Sequence, residues 1–86
     1  MPTISAFFGI LIRMFYNDHG PAHFHAEYQG ERASFDFNGT VIDGQMRSRT
    51  ARQLVKEWAD LHRPELEEDW QRAREGLPLN YIEPLQ

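Results

Sequence analysis

Three of the four histidines of this chain lie within a stretch of seven residues. His19, His23 and His25 follow Asp18 closely, and a second aspartate, Asp36, lies a short distance downstream. Imidazole nitrogens and carboxylate oxygens are ligands that zinc, nickel, manganese and iron accept in proteins. The segment therefore predicts a divalent metal site with His19, His23, His25 and Asp18 as ligands. Asp36 is predicted to accept the other ring N–H of His23 and so fix its tautomer.

The same residues support two other interpretations. A histidine oriented by Asp36, beside Glu27 and Ser34, is a candidate general acid–base for cleavage of a phosphodiester. No nucleophile or phosphate cradle is evident beside it. Histidine is also common on half-exposed strands, where a cross-strand pair with aspartate contributes to sheet stability. The His-x-His spacing does not discriminate among the three interpretations.

The elements that must position these residues begin with an apolar segment of period two. From Ile4 to Tyr16 every even-numbered residue is apolar, which predicts a strand with one buried face. Gly9, in the middle, predicts a bend or bulge that divides this segment into two short strands. The opposite face carries three more apolar side chains, Phe7, Leu11 and Phe15.

A hairpin is predicted next, with Gln29-Gly30 as its turn. This register places apolar residues opposite each other on one face, Phe24 with Phe35 and Ala26 with Ala33. Polar residues meet on the other face, where the pairs are His23 with Asp36, His25 with Ser34 and Glu27 with Arg32. His23 and His25 then leave one strand on the same side, about 7 Å apart at their Cα atoms. Asn38-Gly39 predicts a further turn into a strand over residues 40–43 that pairs Phe35 with Ile42.

The period becomes helical in the second half of the chain. Thr50 with Gln53 forms a candidate capping box, with Ser48 as the alternative cap. The apolar positions of the first helix are Ala51, Leu54, Val55, Trp58, Ala59 and Leu61. Pro64 is expected in the first turn of a second helix, whose apolar stripe is Leu66, Trp70, Ala73 and Leu77. Tyr81-Ile82 is a candidate edge strand. The sequence thus predicts one α+β domain over residues 1–86, an antiparallel β-meander of four to five strands followed by a two-helix hairpin packed on one face.

Four basic residues lie near the start of the first helix with no acidic residue among them. They are Arg47, Arg49, Arg52 and Lys56. Such residues could contact an acidic partner protein or nucleic-acid phosphates, or could form a solvated face. The residues that follow are acidic, so the electrostatic fields of the basic and the acidic stretch largely cancel at long range. The net charge of −4 also disfavours general binding to polyanions.

Composition excludes several classes of site. The chain has no cysteine, which removes disulfides, thiolate nucleophiles and thiolate metal sites. Its most apolar run, residues 6–12, is far shorter than the roughly 20 residues that span a bilayer. We therefore expect a cytoplasmic protein without membrane association.

Several sequence blocks resemble those of a family of small bacterial proteins known as domain of unknown function 4160. The blocks are Met1–Ser5, Phe7–Ile10, Ile12–Met14, His23–Tyr28, Leu54–Trp58, Leu61-His62 and Ile82–Leu85. Ala22 stands where the family usually has a proline. The resemblance implies a bacterial cytoplasmic protein with no established activity, often encoded beside another small domain in an arrangement like that of toxin–antitoxin pairs.

Two functions from different classes follow. The first is a binding or regulatory module that contacts a small partner protein or a second copy of itself, as in a toxin–antitoxin-like pair. The second is a metal-dependent hydrolase or nuclease that uses His19, His23 and His25 with Asp18 or Asp36.

Overall fold

The computed structural model describes residues 2–86. Five antiparallel strands are followed by two helices, and strands that are consecutive in the chain are neighbours in the sheet. The elements are β1 (Thr3–Phe7), β2 (Ile10–Arg13), β3 (His23–Tyr28), β4 (Glu31–Asp36), β5 (Val41–Gly44), α1 (Arg49–Leu61) and α2 (Arg63–Arg74). The predicted α+β meander with two following helices is confirmed.

The turn between β1 and β2 corrects the predicted alternation in β1. Phe8 and Gly9 have φ values of 50° and 81°, the pair of left-handed conformations that a type I′ turn requires. Phe8 is therefore 60% exposed at the turn. Phe7 points into the core instead, with its ring centroid 5.6 Å from that of Trp58. A register shift between Thr3 and Ser5 allows Ile4 and Phe7, an even and an odd position, both to be buried.

The β3–β4 hairpin has the predicted register at every pair. His23 lies opposite Asp36, His25 opposite Ser34, and Phe24 opposite Phe35. Gln29 and Gly30 form the turn with φ values of 49° and 81°. Because side chains alternate along a strand, the burial of Phe24 in the core places His23 and His25 together on the other face.

Strand β5 pairs one residue earlier than predicted. Phe35 lies opposite Val41 rather than Ile42, because the register shifts between Ser34 and Phe35. Val41 packs against the core, whereas Ile42 is exposed.

The two helices cover the face of the sheet that carries Phe24 and Phe35, and the apolar core lies between these layers. Ser48 caps α1, since its Oγ accepts the N–H of Ala51 at 3.0 Å; the alternative cap is therefore the observed one. Pro64 lies in the first turn of α2 as predicted. Neither helix within residues 2–86 is long and apolar enough to cross a membrane.

The segment after α2 is extended but forms no regular strand. Ile82 is buried and donates its N–H to the carbonyl of Ile4 at 2.7 Å, while Trp58 Nε1 donates to the carbonyl of Glu83 at 2.9 Å. The predicted edge strand at Tyr81-Ile82 is thus reduced to one hydrogen bond along β1. Leu77, predicted in the apolar stripe of α2, lies beyond the helix and is exposed.

Candidate metal site

Asp18, His23 and His25 converge at one point on the face of the sheet opposite Phe24 and Phe35, beside Trp70 of α2. Asp18 Oδ2 lies 2.9 Å from His23 Nε2 and 3.0 Å from His25 Nε2. All three potential ligand atoms are within 4.8 Å of one another, and within residues 2–86 no other group of three His, Asp or Glu side chains meets that criterion. The arrangement of two imidazoles and one carboxylate is typical of sites for divalent transition metals.

The strand and the preceding loop contribute differently to this geometry. His23 and His25 are fixed by the register of β3, whereas Asp18 lies in the connection between β2 and β3. That connection turns sharply at Asn17, whose φ is 56°. Asp18 Oδ1 then accepts the N–H of His19 at 3.0 Å, which leaves Oδ2 for the two rings.

Each imidazole is also held at its second nitrogen. His23 Nδ1 lies 2.7 Å from the carbonyl oxygen of Pro21, which can only accept, so Nδ1 must carry a hydrogen. His25 Nδ1 lies 3.2 Å from Ser34 Oγ, a hydroxyl that can donate or accept. Both rings consequently direct Nε2 toward Asp18. Outer contacts of this kind orient the histidines of metal sites.

Aromatic side chains restrict the two rings further. The ring of Phe15 lies 4.2 Å from that of His25, and the ring of Trp70 lies 5.3 Å from that of His23, measured between centroids. His23 is buried, whereas the side chains of Asp18 and His25 remain 25% and 28% exposed. The ligand atoms therefore meet at the floor of a shallow cleft that opens to solvent. Its lining also includes His19, Pro21, Ser34, Ile42 and Asp43.

The charge of Asp18 suits a cation. Burial raises the pKa of this carboxyl, but the hydrogen bond from His25, the N–H of His19 and the charges of both rings outweigh that effect, so its pKa lies below the usual value. Asp18 is thus ionised at neutral pH. His25 Nε2 is hydrogen-bonded to Asp18 Oδ2 at 3.0 Å, and His23 Nε2 lies 2.9 Å from the same oxygen.

Two residues predicted for the site lie outside the group. The exposed His19 lines the cleft but is not among the three convergent side chains. Asp36 is opposite His23, yet its Oδ1 accepts the N–H groups of Asn38 and Thr40 at 2.9 and 3.0 Å and stabilises the β4–β5 turn. The contact expected from Asp36 to the His23 ring is made by the carbonyl of Pro21 instead. No side-chain pattern could predict a contact from that carbonyl, whereas the predicted register already placed Ser34 opposite His25.

The basic residues before and within α1 are mostly engaged by the protein itself. Arg47 Nε lies 2.7 Å from Glu31 Oε2, and the hydrogen bonds from its N–H and side chain lower the pKa of Glu31. Arg52 donates to the carbonyl of Arg47 at 2.9 Å, and Lys56 Nζ donates to the carbonyl of Asn38 at 3.0 Å. These contacts fix the connection from the sheet to α1. A role of Arg47, Arg49, Arg52 and Lys56 in binding a partner or phosphates stays a prediction.

Comparison with known proteins gives one significant similarity. Residues 9–71 match the family model described as a domain of unknown function, DUF4160. No curated protein and no solved structure matches the chain significantly. The matched region extends from β2 through most of α2 and contains Asp18, His23 and His25. The chain therefore belongs to the DUF4160 family.

Proposed function

We propose that this protein binds a divalent transition metal ion through Asp18 Oδ2, His23 Nε2 and His25 Nε2. The observation that carries the proposal is the convergence of two imidazole nitrogens on one carboxylate oxygen at 2.9 and 3.0 Å. Ligand atoms around a tetrahedral zinc ion at 2.0–2.1 Å are separated by about 3.3 Å. The two oxygen–nitrogen distances, 2.9 and 3.0 Å, would each lengthen by only a few tenths of an ångström, about 0.3–0.4 Å, around such an ion.

The hydrogen bonds around the site support a metal ion as the occupant. When a metal ion is bound, His23 would coordinate it through Nε2 as a neutral imidazole and keep the hydrogen bond from Nδ1 to the carbonyl of Pro21. His25 would carry its hydrogen on Nδ1 and donate it to Ser34 Oγ, since a hydroxyl accepts as well as it donates. Every polar atom that holds the rings would thus remain paired, which is the condition for stable ligation in a partly buried site.

Metal-assisted hydrolysis is the activity that such a site supports best. Three protein ligands leave coordination positions for water and substrate, the pattern of catalytic rather than structural zinc sites. A metal ion in such a site lowers the pKa of a bound water to about 7 and so supplies a nucleophile at neutral pH. The cleft opens to solvent beside Asp18 and His25, which gives substrate access. We therefore propose a metal-dependent hydrolase or nuclease.

Metal content provides the direct test. Protein purified without a histidine tag is expected to retain near-stoichiometric zinc, nickel, manganese or iron when analysed by elemental mass spectrometry. His23→Ala and His25→Ala are each expected to weaken metal binding by at least a hundredfold, because each removes a ligand. His19→Ala is the matched control and should retain wild-type affinity. Wild-type protein that carries no metal, and whose melting temperature is unchanged by added zinc, nickel or manganese, would contradict the proposal.

A second candidate function is a regulatory module that contacts a small partner protein, as in a toxin–antitoxin-like pair in the bacterial cytoplasm. Two observations favour it: the face with Leu11 and Phe15 has no helix over it, and β5 has a neighbour on one side only in the sheet of residues 2–86. A partner could add a strand along β5. Light scattering after size exclusion, with and without the protein encoded beside it, tests this function. A monomer that forms no complex under either condition counts against it.

A further inference from the structure

A second cleft lies on the other side of the Asp18 loop. It is lined by Asn17, Asp18, His19, Gly20, Trp70 and Arg74. Asp18 and His19 line this cleft and also the cleft above the three convergent side chains, so the two openings are contiguous around the loop. A molecule bound with one group at the proposed metal ion could therefore extend into the second cleft.

Arg74 supplies positive charge to this cleft. Most of the nine lysines and arginines contact a carboxylate or carbonyl of the protein. Within residues 2–86, Arg74 makes no ion pair or side-chain hydrogen bond, and the same is true of Arg49. Because a guanidinium presents several donors in one plane, a free arginine beside an open cleft is suited to phosphate oxygens.

Trp70 lies between the metal ligands and Arg74. Its ring is 5.3 Å from that of His23, and it is only partly buried. Trp70 precedes Arg74 by four residues on α2, so the two side chains share one side of the helix. A planar ring can stack on the indole while an attached anionic group reaches the guanidinium.

We propose that this cleft is an anion subsite that holds the planar ring and the phosphate of a substrate whose scissile group lies at the metal site. The identity of the reaction rests on the proposed metal-dependent hydrolysis, whereas anion binding by Arg74 does not require a metal ion. The carboxylate of Asp18 would repel an anion placed directly on it. The phosphate is therefore expected on the Arg74 side of the loop, with the ring against Trp70.

The test is a titration of the full chain with phenyl phosphate and with inorganic phosphate, in metal-free and in zinc-loaded protein, followed by amide NMR and calorimetry. Arg74→Gln is expected to weaken phenyl phosphate binding about tenfold or more, as the loss of a charge-assisted contact predicts. Arg49→Gln removes the same charge from an exposed arginine of α1 and should change the affinity less than twofold. Phenyl phosphate is expected to bind more tightly than inorganic phosphate, because only the ester carries a ring for Trp70.

The outcomes separate the two proposals. Wild-type affinity in Arg74→Gln, or phosphate-induced shifts around Arg49 rather than around Asn17–Gly20 and Arg74, would overturn the anion subsite. Equal affinities for phenyl phosphate and inorganic phosphate would overturn the proposal that a planar ring of the ligand stacks on Trp70. If phosphate binds through Arg74 but no metal binds, the subsite stands and the metal-dependent function falls. If metal binds and neither probe does, the proposed metal site stands and the anion subsite falls.

Discussion

Replacement of Ser34 by alanine isolates the outer support of the proposed metal site from its ligands. Ser34 Oγ is the one polar contact to His25 Nδ1 recorded within residues 2–86, at 3.2 Å, and Ser34 touches none of the proposed ligand atoms on the metal side. Loss of such an outer contact typically lowers metal affinity 10- to 100-fold, which corresponds to about 1.4–2.7 kcal/mol. Ser34→Ala should therefore bind zinc more weakly by this factor while all three ligands remain.

The assay is thermal unfolding with and without saturating zinc. A ligand that binds only the folded state stabilises it in proportion to the logarithm of its affinity, so the variant should lose about 1.4–2.7 kcal/mol of the zinc-induced stabilisation. For a domain of this size, 1 kcal/mol shifts the melting temperature by about 4–8 °C. The zinc-induced shift should thus shrink by roughly 6–20 °C relative to the wild type. Comparing shifts rather than absolute temperatures removes the small cost of the lost hydroxyl in the metal-free protein.

Asp36→Asn is the matched control for this experiment. Asp36 is adjacent in the sheet, opposite His23, but its side chain serves the β4–β5 turn. An asparagine oxygen can accept the same two N–H groups, so the zinc-induced shift should stay at the wild-type value. A reduced shift in Asp36→Asn together with an unchanged shift in Ser34→Ala would refute the assignment of His25 support to Ser34.

Three further predictions concern stability, each measured by chemical denaturation. Ser48→Ala should lower the free energy of unfolding by about 1 kcal/mol, because it removes the N-cap of α1. Ser48→Thr should keep most of that stability, because a threonine hydroxyl can accept the same N–H. Gly39→Ala should destabilise the protein by more than about 1 kcal/mol, since Gly39 has a φ of +81° and a Cβ there would lie 2.7 Å from Lys56 Cα. Gly20→Ala is the control, because Gly20 has a similar φ of +84° but open space around it. Burial raises the pKa of Asp69, so the folded state holds this proton more tightly than the unfolded chain, and the contribution of Asp69 to stability falls as the pH rises above 3.8. Asp69→Asn should therefore be the more stable protein at pH 7, with an advantage that vanishes toward acid, and an advantage that grows toward acid would contradict this sign.

The sequence was sufficient to predict how the two strand histidines are presented. Apolar and polar residues alternate in both strands of the β3–β4 hairpin, so only one register buries Phe24 and Phe35 together. Because side chains alternate along β3, His23 and His25 then lie together on the opposite face. In β1 the same periodicity failed, because the turn at Phe8-Gly9 and the register shift near Ser5 change which face each residue occupies. A turn or register shift of this kind does not change the residue types of a segment, so the spacing of apolar residues cannot predict it.

The loop contributions to the site could not be predicted in the same way. The position of Asp18 depends on the backbone at Asn17, whose positive φ no periodic pattern encodes. The contact from Pro21 to His23 involves a main-chain carbonyl, a group that every residue carries and that side-chain types therefore cannot reveal. Asp36 does not make the predicted contact to His23, because its carboxylate binds the backbone of its own turn, a local alternative that short acidic side chains commonly adopt.

The two proposed sites are connected through the loop that carries Asp18. The strand presents two imidazoles whose positions are fixed by the sheet, whereas Asp18 is carried by a loop that hydrogen-bonds to β3 through this side chain. The same loop, residues 17–20, forms one wall of the cleft that contains Trp70 and Arg74. A metal ion that fixes Asp18 between the two rings would also fix that wall. Metal binding is therefore expected to strengthen phosphate binding, and by thermodynamic reciprocity phosphate should strengthen metal binding by the same factor.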